Sequence, residues 1–125
     1  QLVHSGDYIP FVLQSASIKE ALLAISEKGL GMTGVLNKKD EMVGIITDGD
    51  IRRGLENSGN DLFDQTAEFL MSKNPKSVTA DTLAISALEL MEKHSITSLF
   101  VYSDSRLKRP DGIVHIHDIL KSGVQ

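Results

Sequence analysis

The sequence predicts a mixed α/β (α+β) domain built from two pseudo-symmetric halves, in which small sheets carry helices on their outer sides. The main observation is a duplication: GIITDGDIRR at residues 44–53 is followed by GIVHIHDILK at residues 112–121. In both stretches Asp-Ile comes six positions after Gly, and the segments that lead into them begin at corresponding prolines, Pro10 and Pro75. An internal duplication of this kind indicates a structural unit that occurs twice.

The first helix of the first half is predicted from its caps and its apolar spacing. Ser17 and Glu20 form an S-x-x-E capping box at the start, and Gly29 stands where a left-handed C-terminal cap is favoured. Between them, apolar residues recur with the spacing of one helix face: Ile18, Ala21, Leu22 and Ile25. The pattern therefore predicts an amphipathic helix with one buried face.

A hairpin and a short helix complete the first half. Two apolar runs, residues 33–37 and 42–47, flank the polar turn KKDE, which is typical of two antiparallel strands. Asp50 then stands ahead of IRRGLEN, where we expect it to cap a short helix. Adjacent helix positions point about 100° apart, so Arg52 and Arg53 are not expected to face one phosphate together.

The second half repeats this order of elements. Thr82 is the expected cap of its first helix, strands are predicted at residues 98–103 and 112–116, and Asp118 is the expected cap of the last helix. The apolar face of the first of these helices is predicted to contain four residues: Leu83, Ala87, Leu90 and Met91.

The predicted domain organisation follows from how little core one repeat contains. The boundaries are residues 1–58 for the first repeat, 59–73 for a connector with a short helix, and 74–125 for the second repeat. A sheet of two or three strands buries too little apolar surface to be stable alone. We therefore expect the two sheets to pack face to face as one domain, with helices outside and a polar cleft between the halves.

Composition argues against several classes of protein. The net charge of −4 and the pI of about 5.5 argue against a nucleic-acid-binding protein, which needs a basic surface. There is no cysteine, so neither a disulfide framework nor a thiolate zinc site is expected, and a reducing cytoplasmic compartment is the expected location. No apolar run approaches the ~20 residues that span a bilayer, so no membrane partner is expected.

Two other motifs suggest sites that we do not expect. GLGMTG at residues 29–34 matches G-x-G-x-x-G, but it follows a helix and precedes a strand, the reverse of a dinucleotide-binding turn. HIHD would place His115 and His117 on one side of a strand, as two metal ligands require. A metal site needs further ligands, and neither His4 nor His94 has supporting spacing. We therefore expect no metal and interpret the histidine pair as polar lining of the cleft.

The layout resembles the tandem CBS-domain pair, also known as the Bateman module. The resemblance rests on the two GI-x-x-x-x-D-[IL] stretches and on KHSITSLFVYS before the second of them. The combination of TDGDIRR, FLMSKNPKSV and HIHDIL is similar, more narrowly, to the C-terminal part of the arabinose-5-phosphate isomerase family. In that family the pair follows a sugar isomerase (SIS) domain. The resemblance therefore implies a regulatory module without catalytic residues, whose partner is its own isomerase domain.

The resemblance also implies a set of ligand-binding residues. In CBS pairs that bind nucleotides, an aspartate at the position of Asp50 or Asp118 accepts hydrogen bonds from the ribose hydroxyls, and a serine or threonine three positions earlier contacts phosphate. Thr47 and His115 occupy that earlier position. The other implied residues are Leu13, Gly31, Met32, Thr33, Asp48, Arg52, Arg53, Ile96, Thr97, Ser98 and His117. From the residues alone, an aspartate at a helix start is more simply explained as an N-cap.

The expected ligand is a small anionic effector, and no cofactor is required. The resemblance implies a nucleotide or nucleotide sugar, with CMP-Kdo, the pathway end product, or an adenine nucleotide as candidates. It also implies that two such modules pair as a homodimer. The alternative is a ligand-free platform that holds the isomerase domains together as an oligomer, with side chains filling the cleft.

Overall fold

The computed structural model describes residues 3–123, and these residues form a mixed α/β structure with two small sheets, as predicted. They divide into two compact units. One unit is Pro10–Pro75, and the other combines the N-terminal segment up to Ile9 with the chain from Lys76 onward. None of the helices in the described part of the chain is long and apolar enough to cross a membrane.

Residues 3–123 contain seven strands and five α-helices. The strands are β1 (Val3–His4), β2 (Phe11–Leu13), β3 (Met32–Leu36), β4 (Met42–Thr47), β5 (Ser77–Thr79), β6 (Ser98–Tyr102) and β7 (Gly112–His115). The α-helices are α1 (Ile18–Lys28), α2 (Asp48–Ser58), α3 (Ala67–Leu70), α4 (Ala84–His94) and α5 (Ile116–Lys121). Two 3-10 helices, Gly6–Tyr8 and Gly59–Asp64, precede β2 and follow α2.

The sheet of residues 10–75 has the order β2-β3-β4. β3 and β4 form the predicted antiparallel hairpin, with Met32 opposite Thr47. Its turn closes where the Asn37 N–H donates to the Glu41 carbonyl oxygen at 2.9 Å. β2, which the sequence pattern did not indicate, lies parallel to β3. A strand of three residues is too short to show an alternating pattern.

Helix α1 begins and ends at the residues that the sequence predicts. The Ser17 hydroxyl accepts a hydrogen bond from the Glu20 N–H at 3.2 Å. Gly29 closes the helix with φ 67° and ψ 23°, and its N–H donates to the Ile25 carbonyl oxygen at 3.0 Å. A residue with a Cβ is strained in this left-handed conformation, so glycine suits the position.

The core of residues 10–75 combines α1, α2, the hairpin and the segment that follows α2. Eight buried residues form it: Ile18, Ala21, Ile25, Val35, Ile46, Ile51, Leu62 and Ala67. The predicted apolar face of α1 is therefore confirmed, with Leu22 packed partly buried against the same core. Leu62 and Ala67 come from the segment predicted as a connector, so that segment is part of the core of this unit.

The second unit contains a four-stranded sheet with the order β1-β7-β6-β5. β6 and β7 form the predicted hairpin, and β5 lies parallel to β6. β1 pairs antiparallel with β7, with Val3 opposite Val114 and His4 opposite Ile113. The first strand therefore joins the second sheet, which differs from the repeat boundary predicted at residues 1–58. No local pattern indicates this pairing, because its two strands lie at opposite ends of the chain.

Helix α4 begins later than predicted. Thr82 is not its cap, because the Thr82 N–H donates to the Thr79 carbonyl oxygen at 3.0 Å in the turn after β5. Leu83 occupies the N-cap position and makes no capping hydrogen bond through its side chain. The Leu83 side chain is 69% exposed, so its predicted place in the apolar face is wrong. Ala87 and Met91 are buried as predicted.

The glycine that the two duplicated stretches share makes room for a neighbouring side chain. A Cβ on Gly44 would lie 2.5 Å from Sδ of Met71, and a Cβ on Gly112 would overlap Cγ1 of Val3. Met71 lies in the segment after α3, which pairs with β4, the strand of Gly44. Val3 lies in β1, which pairs with β7, the strand of Gly112. Close packing of a side chain on the backbone therefore explains the repeated glycine.

Candidate functional site

The start of helix α2 is a capping box in which Asp50 is the third helical residue. Thr47 is the N-cap, so the prediction that Asp50 fills this position is wrong. The Asp50 N–H donates to Thr47 Oγ1 at 3.1 Å, and the Thr47 N–H donates to Asp50 Oδ2 at 2.9 Å. The Asp50 carboxylate is thereby fixed beside the first turn of the helix.

Two arginine side chains converge on this helix start. Arg53 Nη2 donates to Asp50 Oδ1 at 2.8 Å, so both carboxylate oxygens have partners within the unit. A Cβ on Gly49 would meet guanidinium nitrogens of Arg53 and Arg52 at 3.3 and 3.6 Å. Both long side chains bend back toward Gly49, so the two guanidinium groups lie closer together than the angle of about 100° between their helix positions suggests. The first turn of α2 thus holds two carboxylates, Asp48 and Asp50, beside two guanidinium groups, and the helix dipole adds a partial positive charge.

His115 is the N-cap of helix α5, and Asp118 is the third helical residue rather than the predicted cap. The His117 N–H donates to His115 Nδ1 at 3.1 Å, which requires this nitrogen to be unprotonated. The two rings stack with centroids 4.8 Å apart and planes 25° from parallel. His117 lies in the helix, directly after the strand predicted at residues 112–116. The capping geometry of the helix start brings the two rings together.

His4 reaches the same helix from strand β1, and the sequence did not predict this role. Its Nε2 lies 2.8 Å from Asp118 Oδ2, so an Nε2–H donates to the carboxylate. Its ring also contacts Tyr8, with centroids 5.3 Å apart. No spacing in the sequence signals this contact, because it depends on the pairing of β1 with β7. We call His4, His115, His117 and Asp118 the histidine cluster.

The surroundings of His115 lower its pKa. Burial is the largest cause, and the neighbouring His117 and His4 lower the pKa further, whereas the negative charge of Asp118 raises it. The hydrogen bond from the His117 N–H acts in the same direction, since protonation of Nδ1 would remove the acceptor. At neutral pH His115 is therefore uncharged and caps α5.

Acidification is expected to destabilise the chain through His115. Because the folded-state pKa of His115 lies below its usual value of 6.5, the unfolded chain takes up the proton first as pH falls. The free energy of unfolding then decreases until pH passes the folded-state pKa. The melting temperature, measured from about pH 7.5 to about pH 5, should fall less in His115→Asn, which keeps a capping oxygen but does not titrate. An equal fall in His115→Asn and in the wild type would contradict this prediction, and His94→Asn is the control.

In each repeat, the residue before the hairpin accepts a backbone hydrogen bond from the first residue of the helix that follows the hairpin. The Asp48 N–H donates to the Gly31 carbonyl oxygen at 3.1 Å, and the Ile116 N–H donates to the Thr97 carbonyl oxygen at 2.8 Å. Gly31 has φ 78°, a conformation that favours glycine. The structure therefore brings Gly31 and Thr97 next to the aspartate-bearing helix start of the same repeat.

Five other predicted residues present little side-chain surface at these helix starts. Met32, Thr33 and Ser98 are buried, and Ile96 packs partly buried against the apolar core of its unit. Leu13 is exposed and pairs with Leu36 on β3. Leu36 is four residues, or roughly 13 Å, along the strand from Met32, which pairs with the N-cap residue Thr47. The structure thus does not bring Leu13 to the start of α2.

The described residues offer no clear alternative site. Among residues 3–123, no group of three or more His, Cys, Asp or Glu side chains is arranged to hold a metal ion. An open cavity of about 550 Å³ lies at β5 and the connector between β6 and β7, lined by hydroxyl groups of Ser77, Thr79, Thr82, Tyr102 and Ser105. It contains none of the predicted site residues, and its lining has no cationic side chain to bind an anion.

Comparison with known sequences identifies the repeated unit. The CBS-domain family model matches residues 6–57 and 67–124. The chain is 40% identical over 123 residues to arabinose 5-phosphate isomerase KdsD of Pseudomonas aeruginosa, and 39% identical over the same length to that of Yersinia pestis. These alignments cover 98% of the chain but only 37% and 36% of the two relatives. The chain therefore spans just over a third of their length.

Solved structures share the fold. A CBS-domain protein from Agrobacterium tumefaciens matches with a TM-score of 0.83 and 22% identity, over 93% of this chain and 84% of that one. CBSX2 in complex with AMP matches with a TM-score of 0.77 and 20% identity, over 98% and 92% of the two chains. The CBS-domain pair of protein MJ0100, solved with 5′-methylthioadenosine and S-adenosyl-L-methionine, matches with a TM-score of 0.78 and 24% identity, over 95% and 90%. Two matched ranges that each contain a hairpin followed by a capped helix show that the chain belongs to the CBS-domain family, as a tandem pair.

Proposed function

We propose that the chain is the regulatory, ligand-binding part of an arabinose-5-phosphate isomerase, and that its ligand is a nucleotide or nucleotide sugar. The repeated geometry at α2 and α5 supports this most strongly. In each repeat a strand ends at a polar N-cap, and an aspartate occupies the third helical position. A carboxylate held in this way accepts hydrogen bonds from two neighbouring hydroxyls, such as those of ribose, and these charge-assisted bonds are strong.

The charges near the two helix starts suit a ligand that carries phosphate or carboxylate groups. Arg52 and Arg53 converge at the N-terminus of α2, where the helix dipole also favours an anion. In the second repeat, His115 and His117 present ring nitrogens beside Asp118.

Two arguments narrow the class of ligand. Structural neighbours of the same fold were solved with AMP and with S-adenosyl-L-methionine, so this architecture accommodates nucleosides. The identity of 37–40% to arabinose 5-phosphate isomerases favours an effector from their own pathway. We therefore propose CMP-Kdo, the end product of that pathway, with an adenine nucleotide as the second candidate. Binding regulates the isomerase if the ligand has different affinities for two arrangements of the enzyme.

Thermal unfolding with and without ligand tests this proposal. A ligand that binds only the folded chain stabilises it by about 2.7 kcal/mol at roughly 100 times its Kd, so CMP-Kdo is expected to raise the melting temperature by several degrees. CMP, AMP and S-adenosyl-L-methionine are compared at the same millimolar concentration. Arg106→Ala, which removes an exposed ion pair with Asp104, should show the same shift as wild type.

The opposite result also has a clear meaning. If none of these compounds shifts the melting temperature, the proposed ligand class is wrong. If light scattering then shows a stable dimer without ligand, the chain is an oligomerisation platform for the isomerase domains instead.

A further inference from the structure

Strand β1 is held to the rest of the second unit by few contacts, and the side chain of His4 makes one of them. Within residues 3–123, β1 comprises Val3 and His4 and pairs with β7 alone. Val3 packs over Gly112 and remains 39% exposed. The His4 side chain adds the hydrogen bond to Asp118 and the ring contact with Tyr8. In so short a strand, the loss of one side-chain contact removes a large part of what holds it in place.

The partner of His4 is the carboxylate that the proposed ligand requires. Asp118 Oδ2 accepts from His4 Nε2 at 2.8 Å, and the two side chains are 29% and 37% exposed. The contact is therefore within reach of a solute. A ligand that donates two hydroxyl groups to this carboxylate engages both oxygens. At Oδ2 it must share the acceptor with the imidazole, whose ring already lies 2.8 Å from that oxygen and limits the approach of a second donor. Ligand binding and the His4–Asp118 contact thus oppose one another.

The first repeat lacks this competition. There the segment after α3 pairs with β4 through backbone bonds between Ser72 and Ile45, at 2.8 and 3.0 Å. The Asp50 carboxylate is bonded instead by the Thr47 N–H and by Arg53, both at the start of its own helix. A ligand at Asp50 would compete with contacts inside α2 and leave the backbone pairing of that segment intact.

We propose that a ligand bound at Asp118 displaces His4 and releases β1 from β7. This inference rests on the proposed function and deepens it, because it states how occupancy of the second repeat is passed to the rest of the protein. In the proposed parent enzyme, β1 stands nearest the segment that leads from the isomerase domain, so its release alters the connection to the catalytic part. The coupling is reciprocal: a chain without the His4–Asp118 contact binds the ligand more tightly.

Hydrogen–deuterium exchange of the peptide that contains residues 3–9, combined with calorimetric titration, tests this inference on the chain itself. CMP-Kdo is the first probe and AMP the second. Probe binding is expected to raise exchange in residues 3–9 by roughly threefold or more, while α1 is unaffected. His4→Ala is expected to exchange rapidly in this peptide without any probe, and to bind the probe roughly threefold more tightly.

Two control variants separate the contact from general effects of mutation. His4→Gln keeps a side-chain N–H that can donate to Asp118, so its exchange and affinity should resemble those of the wild type. His94→Ala removes a histidine from the last turn of α4 in the same unit and should also resemble the wild type. Unchanged exchange in β6, the central buried strand of the unit that contains His4 and His94, shows that each variant is folded.

Each outcome decides the inference. If a probe binds and the exchange of residues 3–9 does not rise, the release of β1 is overturned while the proposed function stands. If no probe binds the wild type but one binds His4→Ala, the inference is supported, because the histidine then blocks the carboxylate. If no probe binds either protein, both the inference and the proposed function fail.

Discussion

Ile46→Ala is expected to lower the free energy of unfolding by about 3 kcal/mol. Ile46 is 0% exposed in β4 and belongs to the core of residues 10–75. Truncation to alanine removes buried carbon atoms and leaves a cavity, and both effects destabilise the folded chain. Its core companions include Ile18, Val35 and Ile51, which come from three different elements. Because these elements are packed together, the site has little freedom to collapse around the cavity.

Urea unfolding followed by circular dichroism measures this effect. Ile46→Val, which removes a single methylene, is the matched control and should cost about 1 kcal/mol. Leu23→Ala changes a side chain that is 58% exposed on α1 and should alter stability by less than about 0.5 kcal/mol. If Ile46→Ala destabilised the chain no more than Leu23→Ala does, the core described for residues 10–75 would be wrong.

Asp118→Ala is expected to weaken binding of the proposed ligand by at least about tenfold, which corresponds to about 1.4 kcal/mol. A hydrogen bond to a charged group contributes about 1.5–3 kcal/mol, and a diol makes two such bonds to one carboxylate. Asp118 already uses Oδ2 to accept from His4, a contact between partly exposed side chains that is weak enough to be displaced. Titration calorimetry with CMP-Kdo measures the change in Kd.

Asp50→Ala is the matched comparison in the first repeat, and its expected effect is different. Both Asp50 oxygens are engaged, one by the Thr47 N–H and the other by Arg53, so a ligand gains less there. We expect its affinity to change by no more than about threefold, while loss of the capping box costs about 1 kcal/mol of stability. The reverse order, with binding lost in Asp50→Ala and kept in Asp118→Ala, would place the ligand in the first repeat.

Features that depend on a few neighbouring residues were predicted well. Ser17 and Gly29 begin and end α1 as expected, because capping is decided within one helical turn. Both hairpins appear where two apolar runs flank a polar turn. The errors at α2 and α5 are also local. In both, the helix begins earlier than predicted, directly after the strand. The N-cap is therefore the residue three positions before the aspartate, Thr47 in α2 and His115 in α5.

Features that depend on partners distant in sequence were missed. β2 and β5 are three-residue strands that become visible only as parallel neighbours of β3 and β6. The contact of His4 with Asp118 requires β1 to pair with β7, and no spacing in the chain encodes this pairing. The convergence of Arg52 and Arg53 was missed for another reason, since helical geometry fixes where a side chain starts but not where a long one ends.

Two-dimensional amide spectra of the chain, recorded by nuclear magnetic resonance during titration with CMP-Kdo, test the central proposal most directly. The account predicts saturable shifts at His117, Asp118 and Thr97, accompanied by shifts in residues 3–9, and their loss in Asp118→Ala. Spectra that do not change at millimolar ligand would contradict it. So would shifts confined to the cavity beside β5, because none of the residues that line it belongs to either aspartate-bearing helix start.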